Sequence, residues 1–543
     1  MRTTRFPRHR LVLCLLAVLA VVAAACGSGT TSTEAEGTGS EAAADTGTEG
    51  AAAAGDSSTL VVGATEVPSH LDPAVVYELF ASNILFNTTN RLVEAQSGTG
   101  EIGPGLAEEW EISDDQLTYT FTLREGVTFQ DGSDFTSEDV KWSLERATNI
   151  NHPESAAFLL GGIESIETPD DYEVVITLSE PNATFLSRLN YTVATILPSD
   201  GDAYTTPDEA LEEPSAGEAE EFINDETIVG TGPYELTDYT PGESLTLEAF
   251  DGYWGDAPAI DTVQVQFFGD TAQMRNAMAA GEIDFNYNEF APAERASLSE
   301  EDGLTISETE GGRIRYIVID VTAAPFDDAE VRRAMSASID RQRIIDEVFE
   351  GAGSPLYSMI PSTFDVHAPE YMEDIEAEVP EGTEIELWYP LNKYGDTEAD
   401  VAESISRSLN EAGFEVTTQS ADWAAEYSDN TTTGTYSVYL LGWYPDYIDP
   451  DAYIDPFYGG GYIPYYQDEE MQELIRQEQT QEIDSEERAQ TFDEIQQKAA
   501  EDMPYIPLYE EGQTAYHADS VTGVEDTLTP AQQTWYYVLS KEG

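Results

Sequence analysis

From residue 313 to residue 443 the chain alternates two periodicities, and that alternation restricts the fold more than any other feature. "RIRYIVIDV" (313–321) is a near-continuous apolar run with strand chemistry. "DDAEVRRAMSASIDRQRIIDEVFEG" (327–351) has the spacing of one long amphipathic helix ending at Gly351. Strand "EIELWYP", helix "EADVAESISRSLNEAG", strand "FEVTTQSA", a helix near "DWAAEY" and strand "YSVYLLGW" follow. Strands alternating with helices at this spacing predict an α/β lobe built on a largely parallel sheet.

Residues 59–543 are long enough for two or three domains, and the remainder reads as further strands, turns and helices. "TLVVGAT" (59–65) is a buried-strand pattern, and "LTYTFTLREGVTF" (117–129) reads as a hairpin that turns Tyr119, Phe121 and Leu123 inward. Thr136 is placed to cap a helix whose apolar face carries Val140, Leu144 and Ala147. "DYEVVITLSEPN" is a strand stopped by Pro181, and 200–226 is an acidic surface excursion. "GTGPYELTDYTPGESLTLEAFDGYWG" (230–255) is a hairpin with Pro241-Gly242 at its tip. A helix closed by Gly281 and a short strand come next. The tail offers a helix over 485–502, a strand at "YIPLYEE" and a packed last segment, "TWYYVLS".

Charge excludes one class of partner. The chain has 23 Lys and Arg against 106 Asp and Glu. Nucleic acid binding needs bases to neutralise phosphates, so no nucleic acid partner is expected. The acids are spread through every segment, which predicts a solvated acidic surface suited to high external salt, where screening relieves self-repulsion.

The N-terminus reads as an export device. Arg2, Arg5, Arg8 and Arg10 precede the apolar stretch 11–25, which is too short to span a bilayer stably, so 1–25 is expected to be a signal peptide. It runs into Ala-Ala-Ala-Cys26-Gly-Ser, which resembles a lipobox whose Cys26 receives the lipid. Ala23 stands where such sites usually carry a bulky aliphatic residue, and plain cleavage after an A-x-A site is the alternative. Residues 27–58 hold no aromatic, no Leu, Ile or Val and no base, and so predict a disordered tether behind Cys26. Loss of the four arginines leaves 19 bases against the acids, a net charge near −87. The other cysteine, Cys14, leaves with the signal, so no disulfide is expected.

Four long stretches then occur in a telling order: "LAEEWEISDDQLTYTFTLREGVTFQDGSDFTSEDVKWSLER", "GTGPYELTDYTPGESLTLEAFDGYWG", "APFDDAEVRRAMSASIDR" and "GWYPDYIDPDAY". With them the chain resembles the extracellular solute-binding proteins of family 5, the peptide- and nickel-binding components of bacterial ABC importers. The resemblance runs from about 60 to 540, with Gln130 where His is common and Asp320 where Asn is common. It implies a two-lobe binding-protein fold hinged by two strands, with an extra domain in the first lobe. Lobe I would comprise 59–96, 229–312 and 509–543, the inserted domain 97–228, and lobe II 313–508. It also implies a monomer, lipid-anchored on the outer face of the cytoplasmic membrane, that delivers a solute to ABC permease subunits.

The same resemblance marks a ligand site. Asp446, in the turn after Gly442-Trp443, matches the acid that pairs with a peptide's α-ammonium. Gly442, Trp443 and Tyr444 match a strand edge that offers backbone groups to an extended ligand, and Trp423 matches a cleft Trp. By composition alone an Asp in so acidic a chain is surface solvation, and Asp449 and Asp451 are expected as turn caps. The seven tyrosines between 444 and 466 line the cleft or fill the core. No Arg or Lys follows Trp423 before Gly442, where some peptide binders carry a base for the ligand carboxylate. That function would pass to another base, with Arg313 and Arg315 as candidates, or the ligand would not be a peptide. An oligosaccharide, a nickel complex and a lipid-anchored sensor role are the alternatives.

Catalysis has no footing in the sequence. G-x-S-x-G, G-x-x-x-x-G-K and H-E-x-x-H are absent, and His70, His152, His367 and His517 are scattered. Asp446, Asp449 and Asp451 lack the loop and glycine of a calcium site. No enzyme activity, cofactor or metal is expected.

Overall fold

The computed structural model describes residues 58–542 apart from 99, 153–154, 200–227, 288–289, 374, 376, 381, 396, 461–464 and 484. The expected signal peptide, Cys26, most of the tether and the acidic excursion fall outside the described residues.

Three sheets organise the chain. Seven strands form the first, in the order Leu304–Glu308, Thr514–Ala518, Phe285–Asn286, Thr59–Ala64, Thr262–Phe267, Ser244–Ala249, Tyr234–Thr240. Val62, Val263, Val265, Leu245 and Leu247 are wholly buried along it, under the helix Leu79–Thr88. The hairpin tip at Pro241-Gly242 lies between its last two strands, as the turn chemistry predicts.

The second sheet carries the alternation. Its order is Ser354–Pro355, Tyr505–Glu511, Arg313–Ile319, Val438–Trp443, Glu384–Leu391, Glu415–Asp422. Glu384–Leu391 runs parallel to both Glu415–Asp422 and Val438–Trp443. Arg313–Ile319, however, is antiparallel to Val438–Trp443 and to Tyr505–Glu511, so the sheet is mixed, not largely parallel. A strand's apolar run shows that both its faces are buried and says nothing of its direction. The single long helix expected over 327–351 is two, Ala329–Ser338 and Arg341–Val348. The break falls at Ile339, in extended conformation, and Asp340 restarts the helix by accepting from the Arg343 N–H at 3.0 Å.

The third sheet has the order Ala107–Ile112, Thr118–Leu123, Glu173–Leu178, Ile163–Asp170. Tyr119, Phe121 and Leu123 are buried as expected, but their strand pairs with 107–112 and 173–178 and not with a strand after Gly126. Beside this sheet the helix Ser137–Ile150 starts with a capping box, the Thr136 N–H donating to Asp139 at 2.7 Å.

The chain passes between the first two sheets twice, at 308–313 and 511–514, and the two passages lie side by side. The Thr309 N–H donates to the Gln513 carbonyl at 3.0 Å. At Gly512 a Cβ would fall 1.7 Å from the Thr309 carbonyl oxygen, so only glycine lets the strands approach this closely. Two short adjacent crossings make a hinge between two lobes.

Candidate functional site

Ligands of α/β sheets bind beyond the carboxyl ends of the strands, where helices and loops diverge. At that end of the second sheet the strand Val438–Trp443 breaks at Pro445, which cannot continue a ladder, and Asp446 follows. Asp446 is 3% exposed. Its two carboxylate oxygens share one donor, the Tyr77 hydroxyl, at 2.9 and 3.0 Å. Tyr77 belongs to the segment entering the first sheet's helix Leu79–Thr88, so this bond joins the two lobes. Tyr191 stands edge-on to Tyr77 at 5.9 Å, as does Phe158, and both come from the segment between the lobes' first strands that also holds the third sheet.

Among the described residues no Lys, Arg or His nitrogen lies within 4.0 Å of Asp446; its hydrogen bonds come from Tyr77 alone. Burial therefore pushes the Asp446 carboxyl up to about 7, opposed by the Tyr77 hydrogen bond and the more distant Arg188. Burial and the Asp446 charge together keep Tyr77 protonated, and so a donor. Burial, and after it the charges of Asp446 and Glu66, push the Tyr444 hydroxyl well above its ordinary pKa, so it stays protonated.

The other acids of the turn do different work. Asp449 caps the turn Pro450–Tyr453 by accepting from the Asp451 N–H at 2.9 Å, and it also takes a two-pronged pair from Arg488 at 2.8 and 2.9 Å. Asp451 is no cap: it is wholly buried and meets Arg188 at 3.0 Å and the Tyr447 hydroxyl at 2.7 Å. Three acids with three separate partners do not converge. Of the tyrosines after 444, Tyr447, Tyr453, Tyr458, Tyr465 and Tyr466 are buried in the core, and Tyr462 lies outside the described residues. Among the described residues no three His, Cys, Asp or Glu side chains gather so as to hold a metal ion.

A second cluster lies beside the first. Trp423 opens the helical turn Trp423–Tyr427 after the strand Glu415–Asp422, half-buried, with Tyr394 edge-on at 6.1 Å and the Lys393 ammonium 4.9 Å above its ring. The Gly442 N–H donates to the Tyr394 hydroxyl at 3.0 Å. Thus one of the edge groups expected to face a ligand is held by a tyrosine here. Gly442 leaves room for its neighbour: a Cβ would sit 1.9 Å from Arg315 Nη1, so the guanidinium would have to move. Trp443 donates its indole N–H to the Ala452 carbonyl at 2.9 Å and packs on Phe457. Of the bases considered for a ligand carboxylate, Arg315 pairs with buried Glu398 at 2.9 Å under the Tyr394 ring, and Arg313 pairs with Glu511 at 3.3 Å.

Sequence reasoning missed Tyr77, Tyr191, Lys393 and Tyr394, each brought to the site from a distant part of the chain or from a loop. A cavity of about 750 Å³ opens elsewhere, along the two crossings, and none of these residues lines it. Its Glu308 pairs with Arg295 at 2.6 Å and its Glu511 with Arg313, so the chemistry, not the volume, locates the site.

Residues 101–464 match the family described as bacterial extracellular solute-binding proteins, family 5 Middle. The Dipeptide-binding protein of Escherichia coli K12 is 30% identical over 436 residues, covering 73% of this chain and 78% of that one. Heme-binding protein A of Haemophilus influenzae is 28% identical over 488 residues, 83% of this chain and 87% of that one. The structure of the periplasmic binding protein DppA of Helicobacter pylori in complex with peptide STSA superposes with a TM-score of 0.74 over 89% of this chain and 98% of that one; at 24% identity it attests the fold.

Proposed function

Because the chain belongs to the bacterial extracellular solute-binding proteins of family 5, we propose that it captures peptides between its lobes and delivers them to the permease of an ABC importer. The observation that carries this reading is Asp446: a buried carboxylate with a hydroxyl donor and, among the described residues, no cation within 4.0 Å. An uncompensated buried acid is costly, and such groups gather at functional sites. A peptide's α-ammonium is a compact cation with three donors, one of which can replace the missing charge as the lobes close. The kinship with a dipeptide-binding protein agrees.

Within this reading 59–96, 229–312 and 509–543 form the first lobe, 97–228 the inserted domain and 313–508 the second. Trp423 and Tyr444 border the peptide, with Gly442 and Trp443 as its strand edge. The protein works as a monomer, held outside the cytoplasmic membrane by a lipid on Cys26; among the described residues no helix is long and apolar enough to cross a membrane. Calorimetry tests the site. Asp446→Ala should weaken binding of a free peptide by about 30-fold or more, since cutting one partner of a buried charge pair costs roughly 2–5 kcal/mol. N-acetylation should weaken wild-type binding comparably, and the two losses should not add. Equal affinity for free and acetylated peptides refutes the reading.

A further inference from the structure

Residues 58–307 and 515–542 are joined by the chain to the body built on the second sheet only through the crossings at 308–313 and 511–514. A contact that reaches across, away from these crossings, is one that hinge motion makes or breaks. Of the ion pairs found among the described residues, those of Arg188 alone reach across in this way. Arg188 ends the short helix Phe185–Arg188, which follows the third sheet. Its Nη2 donates to the wholly buried Asp451 at 3.0 Å, with Asp455 at 3.6 Å. We propose that Arg188 and Asp451 form a latch that holds the two lobes closed, made from the chain's own groups and complete without any ligand.

The latch is anchored on both of its sides. Arg188 Nε donates to the Thr184 hydroxyl at 2.8 Å, which fixes the guanidinium on its own helix. Tyr119 ties that helix to the third sheet, its hydroxyl donating to the Asn182 carbonyl at 3.1 Å and its ring meeting Phe185 edge-on at 4.9 Å. Across the gap, Asp451 accepts from the Tyr447 hydroxyl at 2.7 Å and from the Gln479 amide at 3.2 Å. The guanidinium also lies 5.3 Å from the centre of the Tyr447 ring. Main chain joins side chain here: the Ala183 N–H donates to the Gln479 carbonyl at 2.6 Å. The short helix thus docks on the turn Pro450–Tyr453 and on the end of the helix Glu469–Thr480 together.

Charge accounting shows why parting is costly. Burial, and after it the charge of Asp451, pushes the Glu478 carboxyl well above its ordinary range, so Glu478 keeps its proton and donates to Asp451. Burial alone would raise Asp451 as well. Arg188, followed by the hydrogen bonds from Glu478, Tyr447 and Gln479, holds it below its ordinary value, so Asp451 is ionised. Arg188 then balances Asp451 as Arg488 balances Asp449. Opening the lobes would carry Arg188 away and leave Asp451 a buried acid without its cation, the state that costs most. A desolvated pair of this kind also escapes the screening that weakens surface pairs in concentrated salt.

Small-angle X-ray scattering of the mature chain in molar NaCl, with nothing added to the cleft, reads the ratio of closed to open molecules. Wild type should scatter as the compact, closed form. Arg188→Met and the isosteric Asp451→Asn should each shift the ratio towards open by about a hundredfold or more, seen as an enlarged radius of gyration. Asp449→Asn, which cuts the pair with Arg488 inside the second body, should lower stability and leave the molecule compact. Denaturant curves with one cooperative transition show that each variant is folded, and Asp451→Asn decides the matter if Arg188→Met does not fold. Asp451→Asn also keeps Arg188, whose charge reaches Asp446, so its effect belongs to the latch. A wild type that scatters as the open form overturns the proposal. So does a folded Asp451→Asn as compact as wild type, or an Asp449→Asn that expands equally. No peptide enters the measurement, so its outcome is separate from the reading of Asp446.

Discussion

Replacing Asp446 by Asn should make the ligand-free protein more stable and the site useless, and the structure fixes the size and pH range of the effect. The carboxyl is raised from 3.8 to about 7, first by burial, against the pull of the Tyr77 hydrogen bond. Between those two values the folded state holds a proton that the unfolded state has released. Stability therefore falls as pH rises through this window, and the whole penalty is in place above about pH 7. A shift of about three units corresponds to a ceiling of about 4 kcal/mol at 1.36 kcal/mol per unit. Asp446→Asn keeps an oxygen for the Tyr77 hydroxyl and removes the charge. Denaturant melts of both proteins at pH 8 should show the variant ahead by about 1–4 kcal/mol, with the gain shrinking as pH falls and gone near pH 4.

Binding should move the opposite way. The ammonium needs the ionised acid, so wild-type affinity should fall about tenfold for each pH unit below 7, to about a hundredth at pH 5. The variant should bind weakly at every pH, with no such slope. A variant less stable than wild type at pH 8, or a wild-type affinity flat from pH 5 to 8, would refute the account of Asp446 as a charge held in wait for its partner.

Further expectations follow from other contacts. Tyr77→Phe removes the hydroxyl that donates to Asp446; the midpoint of the binding pH profile should rise, with affinity at pH 7 down about fivefold, roughly 1 kcal/mol, as titration calorimetry would show. Arg488→Met strands Asp449 and Glu478, both buried; a loss of about 3–5 kcal/mol in chemical denaturation is expected, with peptide affinity unchanged in the molecules that remain folded. Thermal stability should climb steeply between about 10 mM and molar NaCl, where the Debye length falls from about 30 to 3 Å, and a flat melting temperature would remove the halophilic reading. Cys26→Ser should release the protein to the medium or leave an uncleaved precursor, and mass spectrometry finding an unlipidated wild type would end the anchoring proposal.

The parts of this molecule legible in the sequence are those fixed by local chemistry. Alternation exposed the strands at 59–64, 384–391 and 438–443, and Thr136 and Pro241-Gly242 announced a cap and a turn. Strand direction was not legible: Arg313–Ile319 has the same apolar run whether its neighbour runs with it or against it. Nor was the break at Ile339, because Asp340 restarts the helix on nearly the same face and the periodicity passes through almost unbroken. Asp446 was found only because a turn of recognisable pattern carries it. Its partner Tyr77, 369 positions away, and the ring of Tyr191 follow no local rule.

The three aspartates of that turn show why sequence pattern alone could not rank them. All are buried, all follow a strand within a few residues, and two even adjoin prolines in the same way. What separates them is the inventory of cations delivered by the rest of the fold. Arg488 arrives for Asp449 and Arg188 for Asp451, and with them those acids become structural. Among the described residues only a hydroxyl arrives for Asp446. Asp446 is thus, among the described residues, the acid of this turn left without a cation within 4.0 Å. The buried charge carries a cost that a cationic ligand group would relieve, so the energy lost in folding the empty site becomes energy of binding and of closing the lobes.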